Sequence, residues 1–166
     1  MNENDPAHEI TDRALCQECD VILYRIPMTP DDPATAALLD AVAWTPTGLV
    51  ACVAQQHDTG EVLMVAWMDR VAIRETLATG RVCYFSRSRN RLWRKGETSG
   101  QVQRLVELRL DCDGDALLAL VDQAGAACHT GRRSCFYRAA RDGALAVIAE
   151  PIADPAELYS RSEDAP

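Results

Sequence analysis

The segment 111–135 constrains the chain more than any other, because it carries ligands for two kinds of cation around one apolar run. It begins with Asp-Cys-Asp-Gly-Asp at 111–115, and hard cations such as Mg²⁺ and Ca²⁺ prefer carboxylate oxygens of this kind. Thiolate and imidazole ligands suit a softer ion, Zn²⁺ first. The residues that offer them are Cys112, Cys128, Cys135 and the neighbouring His129.

The three carboxylates stand at alternate positions, and side chains alternate between the two faces of an extended strand. If 111–115 is extended, Asp111, Asp113 and Asp115 share one face and Cys112 points to the other. This pattern predicts two separate metal sites, close in space and different in softness. Gly114 would break the alternation if it bends the segment.

The charge of the chain is distributed unevenly around a formal net charge of −8. Residues 1–33 carry eight acids and two bases, and residues 141–166 carry six acids and two bases, so residues 34–140 keep eleven acids and thirteen bases. Three of those eleven acids are the proposed cation ligands. The basic middle suits a small anionic ligand, whereas the acidic flanks argue against nucleic acid as the main partner.

Composition indicates one soluble domain, since 166 residues with 48% hydrophobic content can bury a core. No apolar run approaches the roughly 18 residues of a membrane-spanning helix, so no membrane partner is expected. The opening Met-Asn-Glu-Asn-Asp lacks the apolar stretch of a secretory signal. We therefore expect a cytoplasmic protein, in which seven cysteines favour metal ligands or buried thiols over disulfides.

Residue patterning predicts an α+β domain with a strand-rich, mostly antiparallel core and two short helices. Asp32-Pro33 and Asp69 are typical helix starts, and Gly80 is a typical helix end, so helices are predicted over 33–43 and 69–80. Short connections favour antiparallel pairing. Strands are predicted at 21–26, 48–57, 61–67, 81–86, 101–110, 116–121 and 136–138.

The cysteines leave two kinds of zinc site open. A structural site closes with four protein ligands, and His129 is available as the fourth although it adjoins Cys128. Three thiolates with one open position describe a catalytic site that keeps a water. Cys16 and Cys19 form a Cys-x-x-Cys pair without a second pair, and we interpret them as structural thiols of unassigned role.

The aspartates resemble part of a calcium loop, but position twelve counted from Asp111 is Asp122 rather than the usual glutamate. Mg²⁺, bridging to phosphate, is therefore the better interpretation, and a solvated acidic turn is the alternative.

Residues 86–100 are rich in arginine and include Lys95, the only lysine of the chain. Arginine forks suit bidentate recognition of phosphate, and Arg132 and Arg133 add positive charge beside the thiols. We interpret these residues as walls of a phosphate-binding pocket. A nucleic-acid patch and a solvated charged loop are the alternatives.

Four motifs together resemble the phosphoribosyl-AMP cyclohydrolase family over about 48–138. They are Ser-Arg-Ser-Arg at 86–89, Leu-Trp-Arg-Lys-Gly-Glu-Thr-Ser-Gly at 92–100, Asp-Cys-Asp-Gly-Asp at 111–115 and Cys-His-Thr-Gly-Arg-Arg-Ser-Cys-Phe-Tyr at 128–137. The resemblance implies hydrolysis of the N1–C6 bond of the adenine ring in 1-(5-phosphoribosyl)-AMP by a zinc-activated water. The product would be the opened formimino-aminoimidazole carboxamide ribonucleotide, at the third step of L-histidine biosynthesis.

The resemblance also implies the ligands and the assembly. Cys112, Cys128 and Cys135 match the family's zinc cysteines, and the aspartates of 111–115 match its magnesium ligands. In the family Cys112 comes from one subunit and the other two cysteines come from its partner. This implies an intertwined homodimer with shared active sites.

For the nucleotide substrate, we expect His129 to act as general acid–base, with support of the metal as its alternative role. The residues expected to hold the phosphates are Arg87, Arg89, Arg94, Lys95, Thr98, Ser99, Arg132 and Arg133.

Three regions are predicted: an N-terminal extension at 1–45, the cyclohydrolase domain at 46–140 and an acidic tail at 141–166. Two alternative functions remain, a paralogue with related zinc hydrolase chemistry on another purine nucleotide, or a non-catalytic zinc- or nucleotide-binding module.

Overall fold

The structure, a computed structural model, describes residues 32–160. Its helices are α1 (Pro33–Ala41), α2 (Arg70–Thr79) and α3 (Pro155–Ser160). Its strands are β1 (Val50–Gln56), β2 (Val62–Met68), β3 (Cys83–Ser86), β4 (Arg91–Arg94), β5 (Gln103–Leu110), β6 (Ala116–Gln123), β7 (Arg138–Arg141) and β8 (Ala144–Val147). The predicted strand-rich α+β class is confirmed for these residues. None of their helices is long and apolar enough to cross a membrane.

Six strands form one sheet in the order β4-β3-β2-β1-β6-β5, and β7 pairs with β8 in a second, two-stranded sheet. All strand pairs are antiparallel except β1 and β6, which run parallel. Helix α2 and four strands lie between β1 and β6 in the chain, and a parallel pair requires such a long crossover. The mostly antiparallel prediction is therefore confirmed.

The sheet curls until its two ends approach each other. Leu105 N donates to Gly80 O at 2.7 Å, and Val82 N donates to Gln103 O at 3.0 Å, so the chain entering β3 bonds to β5. An isolated antiparallel bridge joins Arg81 to Arg104. Because β3 and β5 lie four places apart in the strand order, these bonds nearly close the sheet around its core.

Alternating side chains explain why the central strands lie where they do. Every second residue of β1 and of β6 is buried, as expected for strands with one face on a core. The inward residues are Val50, Cys52, Ala54 and Gln56 on β1, and Leu117, Ala119, Val121 and Gln123 on β6. Both strands end in a buried glutamine, which places amide groups at one end of the core.

Both predicted helix starts are confirmed. Asp32 accepts from Ala34 N at 2.8 Å and Asp69 accepts from Ala72 N at 2.7 Å, so each carboxylate satisfies a free main-chain donor. Helix α2 ends at Gly80, whose φ of 67° is the left-handed conformation that glycine adopts readily.

Several elements differ from the sequence prediction. Helix α3 and strand β8 were not predicted, and β4 lies inside the arginine-rich stretch, for which no strand was predicted. The strand predicted at 136–138 is wrong for its first two residues, because β7 begins at Arg138. Phe136 N instead bonds to Ser134 Oγ at 3.0 Å, which keeps this part of the chain in a loop.

The Cys16–Cys19 pair and the strand predicted at 21–26 lie outside the described residues. The division into 1–45, 46–140 and 141–166 stays a prediction. Helix α1 nevertheless contributes to the core, since Leu39 is 1% exposed and packs in the main hydrophobic cluster.

Candidate active site

Residues 127–135, which we call the thiol loop, carry Cys128 and Cys135 and follow the end of β6. The loop folds back on itself, with Cys128 N donating to Arg132 O at 3.1 Å. It is also bonded to β2, since Cys135 N donates to Leu63 O at 2.7 Å and Ser134 Oγ donates to Val62 O at 2.8 Å. The backbone at Cys135 is therefore held by β2, and the backbone at Cys128 is held by the loop itself.

The thiol loop is also bonded to the chain that follows the second sheet. Gly131 O accepts from Ile152 N at 2.8 Å and from Ala153 N at 3.1 Å. Arg132 Nε donates to Ala149 O at 2.8 Å. A side chain at residue 131 would collide here, because a Cβ added to Gly131 would lie 2.0 Å from Ala153 O.

The two thiols of the loop lie side by side. Cys128 is buried, and its Sγ lies 3.1 Å from Thr130 Oγ1. Cys135 is exposed as a residue, yet desolvation of its thiol and the adjacent Cys128 raise the pKa of Cys135 to about 12. The thiol of Cys135 is therefore hard to ionise without a nearby cation, and a soft metal ion is the natural one.

Lys95 supplies positive charge near this pair. It is 5% exposed, and its Nζ donates to Gln101 O at 3.1 Å. Burial lowers the pKa of Lys95, and the nearby Cys135 and Cys128 act in the opposite direction. The only lysine of the chain is thus a buried neighbour of the thiols.

A cavity of about 930 Å³ opens beside the thiol loop. Its walls are formed mainly by β4, the turn that follows β4, and the loop residues His129 and Cys135. His129 is exposed to the cavity side of the loop. The polar lining is rich in arginine and hydroxyl groups and includes Ser86, Ser88, Arg89, Arg91, Arg94, Thr98 and Ser99.

Five of the eight residues predicted to hold phosphate line this cavity, namely Arg89, Arg94, Lys95, Thr98 and Ser99. The guanidinium of Arg94 forms a two-point ion pair with Glu75 on α2, and the longer of its two bonds, from Nη2 to Oε2, is 3.0 Å. Carboxylate pairing raises the pKa of Arg94. Part of its hydrogen-bonding capacity is therefore already used by the protein.

The other three, Arg87, Arg132 and Arg133, are not among the residues that line the cavity. The guanidinium of Arg87 stacks 4.6 Å from the ring centre of Trp67, and that of Arg132 stacks 4.2 Å from the ring centre of Tyr137. Arg133 points to the ends of β1 and β6. The structure thus brings some of the predicted cations together and places these three elsewhere.

Sequence reasoning did not select Ser88 and Arg91, which also line the cavity. Arg91 begins β4, and β4 pairs with β3 through Ser86↔Arg91 and Tyr84↔Trp93. Trp93 packs against Tyr84 with 5.4 Å between ring centres. The hydrophobic pair Leu92-Trp93 within the arginine-rich stretch was the available indication of a strand here.

The aspartate loop, residues 111–115, connects β5 to β6 and brings three carboxylates together. Ligand oxygens of Asp111, Asp113 and Asp115 all lie within 4.8 Å of one another, and the three side chains are exposed. Their surroundings shift the pKa values of two of the three carboxyl groups. Asp113 and Asp111 raise the pKa of Asp115, while the main-chain bond from Ala116 lowers that of Asp111. A divalent cation would offset the repulsion in such a cluster.

The aspartate loop is not an extended strand, so the predicted alternation of its side chains is wrong. Its backbone bends, and Gly114 has a φ of 81°. Gly114 O accepts from Ala43 N at 2.8 Å, and a Cβ at Gly114 would lie 2.6 Å from Ala41 O. Close packing against the end of α1 therefore requires glycine at this bend.

Within residues 32–160 of one chain, the three aspartates are the only group of three or more possible metal ligands so close together. Cys112, which is exposed in the aspartate loop, does not join Cys128 and Cys135 in such a group. One copy of the chain therefore offers two neighbouring thiols in one loop and a third, separate thiol in another.

Fold and site together define a curled α+β domain with a basic, hydroxyl-lined cavity beside a pair of thiols. Comparison with known proteins identifies a family with sequences similar to this chain. The sequence profile of the family "Phosphoribosyl-AMP cyclohydrolase" matches residues 64–137.

Similarity to individual proteins extends beyond the residues that the profile matches. A phosphoribosyl-AMP cyclohydrolase of Granulibacter bethesdensis is 71% identical over 123 residues, which cover 74% of this chain and 96% of the relative. Proteins of the same name from Alkalilimnicola ehrlichii and Rhodospirillum centenum are 67% and 66% identical, and the matched regions cover 75% and 76% of this chain and 88% and 98% of those relatives. The chain belongs to the phosphoribosyl-AMP cyclohydrolase family.

Proposed function

We propose that this protein hydrolyses the N1–C6 bond of the adenine ring in 1-(5-phosphoribosyl)-AMP, at the third step of L-histidine biosynthesis. The product is the opened formimino-aminoimidazole carboxamide ribonucleotide. One observation carries the proposal: His129 and Cys135 lie on the wall of a cavity of about 930 Å³ whose lining includes three arginines, Lys95 and four hydroxyl side chains. Family membership gives the substrate class, since the relatives carry this activity in their names.

Zinc is the metal that the donor set fits. Cys128 and Cys135 are adjacent thiols in a partly desolvated position, and thiolate sulfur is a preferred zinc ligand. We propose Cys112 of a second copy as the third ligand, which leaves one position open. When bound, zinc supplies a water activated for attack near neutral pH.

The residues of the cavity bind and orient the nucleotide. Arg89, Thr98 and Ser99 are placed to hold phosphate oxygens through charge-assisted and hydroxyl hydrogen bonds. The phosphoribosyl group on N1 makes the adenine ring cationic and C6 electrophilic. Holding both phosphates in the basic cavity keeps C6 next to the thiol loop, where the attacking water is activated.

His129 moves the proton. Its imidazole lies on the cavity wall next to the thiol ligand Cys128 in sequence, and an imidazole can both accept and donate a proton. We assign it to accept the proton of the attacking water and to donate a proton to the ring nitrogen that leaves C6. The bond that breaks is N1–C6, and the oxygen of water becomes the new carbonyl oxygen.

Magnesium is the proposed occupant of the aspartate loop. Three exposed carboxylates with oxygens within 4.8 Å of one another match the all-oxygen ligand preference of Mg²⁺. Asp111, Asp113 and Asp115 are the residues that would hold it.

We propose a homodimer with shared sites, because Cys112 does not group with Cys128 and Cys135 within one chain. Exposed apolar side chains next to the site support an interface between copies, since Val65 on β2 is 48% exposed and Phe136 beside Cys135 is 54% exposed. Surface hydrophobic residues near a functional loop are typical of an interaction surface.

The test combines metal content with ring opening of the purified full chain, followed by the change in nucleotide absorbance. The proposal requires about one zinc per chain and activity that a chelator removes and zinc restores. Cys128→Ala should lower the rate of ring opening by more than about 100-fold. Replacing a residue that only orients a metal ligand costs at most about that much, and Cys128 is proposed as a ligand itself. Full activity of Cys128→Ala, or ring opening without zinc, would contradict it.

A further inference from the structure

The side chain of Arg133 is committed to the protein rather than to the cavity. Its Nη1 donates to Gln123 O and to Gly125 O, both at 3.1 Å, and its Nη2 donates to Gln56 Oε1 at 2.9 Å. Its Nε donates to Glu61 Oε2 at 3.4 Å. A guanidinium has five N–H groups, so these four contacts leave one N–H for any ligand.

Two of the residues that accept hydrogen bonds from Arg133, Gln56 and Gln123, belong to a chain of buried polar groups in the core. Gln56 Oε1 also accepts from Gln123 N at 3.1 Å, and Gln123 Oε1 accepts from Gln103 Nε2 at 2.9 Å. Tyr84 Oη donates to Gln103 Oε1 at 2.7 Å. All four of these residues are at most 4% exposed. We call this set (Tyr84, Gln103, Gln123, Gln56) the buried amide chain.

The buried amide chain connects four strands, because its members lie on β3, β5, β6 and β1. Arg133 connects the buried amide chain to the thiol loop through its hydrogen bonds to Gln56 and Gln123. The residue stands two positions before Cys135 and five after Cys128. Its guanidinium therefore fixes the returning half of the loop against the ends of the two central strands.

We propose that Arg133 is a positioning residue, which holds Cys128 and Cys135 at their mutual spacing by bonding the thiol loop to Gln56 and Gln123. This inference rests on the proposed function, and it replaces the phosphate-binding role expected for Arg133. Outer partners that orient metal ligands typically contribute 10- to 100-fold to metal affinity or activity. Arg133 reaches the thiols only through the loop backbone.

Arg133→Gln, Arg133→Lys and Arg89→Gln test this inference in the full-length protein. Arg89→Gln is the matched control, since it removes an arginine charge from the cavity wall. Three quantities are measured: zinc affinity by competition with a chromogenic chelator, KM for the nucleotide, and amide hydrogen exchange at Cys128 and Cys135.

Arg133→Gln should weaken zinc binding by about 10- to 100-fold and speed amide exchange at Cys128 and Cys135. Its KM should change little. Arg133→Lys should show most of the same loss, because one ammonium cannot reach the four separate acceptors. Arg89→Gln should raise KM and leave zinc affinity unchanged.

Unchanged zinc affinity and exchange in Arg133→Gln, together with a raised KM, would overturn the inference and return Arg133 to the phosphates. If Arg133→Gln does not fold, Arg133→Lys decides by the same two readouts. If the unmodified protein binds no zinc, the proposed function fails. Amide exchange in the Arg133 variants then still shows whether this residue fixes the loop, and unchanged exchange refutes it.

Discussion

The thiol loop and the aspartate loop both connect elements of the sheet and both carry candidate metal ligands, yet they are held in opposite ways. The thiol loop is bonded from several sides: to β2 through Leu63, to the ends of β1 and β6 through Arg133, and to the segment 149–153. The aspartate loop has three exposed carboxylates that repel one another.

This difference indicates how each loop would bind its metal ion. The donors of the thiol loop are preorganised by the fold, so little rearrangement is needed when a metal binds. The protein, and not the metal, sets the positions of these ligand atoms. The donors of the aspartate loop gain stability only when a cation neutralises them. We therefore expect changes in the thiol loop to affect chemistry and changes in the aspartate loop to affect metal-dependent stability.

The largest expected effect is on the chemical step. His129→Ala should lower kcat by about 10²- to 10⁴-fold with zinc still bound, because a general acid–base contributes that much. Steady-state kinetics with zinc analysis of the same sample measures both. If His129→Ala instead loses zinc, and the activity per bound zinc is unchanged, then His129 supports metal binding and is not the acid–base group.

The next prediction concerns whether the aspartate loop of one copy of the chain completes the site at the thiol loop of another copy. Cys112 lies in the aspartate loop, and Cys135 lies in the thiol loop. Cys112→Ala and Cys135→Ala should each be nearly inactive alone. Mixed under conditions of verified subunit exchange, they should regain one intact site per mixed dimer. No recovery despite exchange would mean that the sites are not shared, and a mixture of Cys128→Ala with Cys135→Ala serves as the control that cannot recover.

A smaller effect, on folding stability, compares the glycines of the two loops. Gly131→Ala and Gly114→Ala should each lower the free energy of unfolding by more than the roughly 1 to 3 kcal/mol of backbone strain. Added Cβ atoms would lie 2.0 Å and 2.6 Å from carbonyl oxygens, so Gly131→Ala should be the worse. Urea unfolding measures this. Gly48→Ala isolates the strain alone, because its positive φ faces open space.

The smallest effect concerns the aspartate loop itself. Mg²⁺ should raise the melting temperature of the unchanged protein by mass action and should raise that of Asp115→Asn much less. In a chelator, Asp115→Asn should melt slightly above the unchanged protein, since one repelling charge is gone. Equal responses to Mg²⁺ in the two proteins would show that the aspartates hold no magnesium.

Much of the fold was predictable because its signals are local. Asp32 and Asp69 start helices through bonds within their own first turn. Strand β5 follows from alternation, and β1, β2 and β6 follow from short apolar runs. The hairpin of β7 and β8 was also within reach, since Asp142-Gly143 with φ of 51° and 75° is a favoured two-residue turn. Its strands were missed because they are short and mostly exposed.

The parts of the site that sequence did not predict depend on distant partners. Arg94 and Arg133 look alike in sequence, yet Glu75 pairs with the first and Gln56 with the second, 19 and 77 residues away. Charge pattern alone cannot distinguish an arginine that faces a cavity from one that binds a buried amide. The sequence identifies Gly114 as the residue at which the segment can bend, but its contact with Ala41, which requires glycine there, is also non-local.

The bonds from Gly131 to Ile152 and Ala153 set a minimum length for a working version of this protein. A truncated form that stops where the family profile ends, at residue 137, would lack the partners of Gly131 and Arg132. Fusion partners and affinity tags therefore belong after Ala153, and a shortened gene product should retain the chain through that residue.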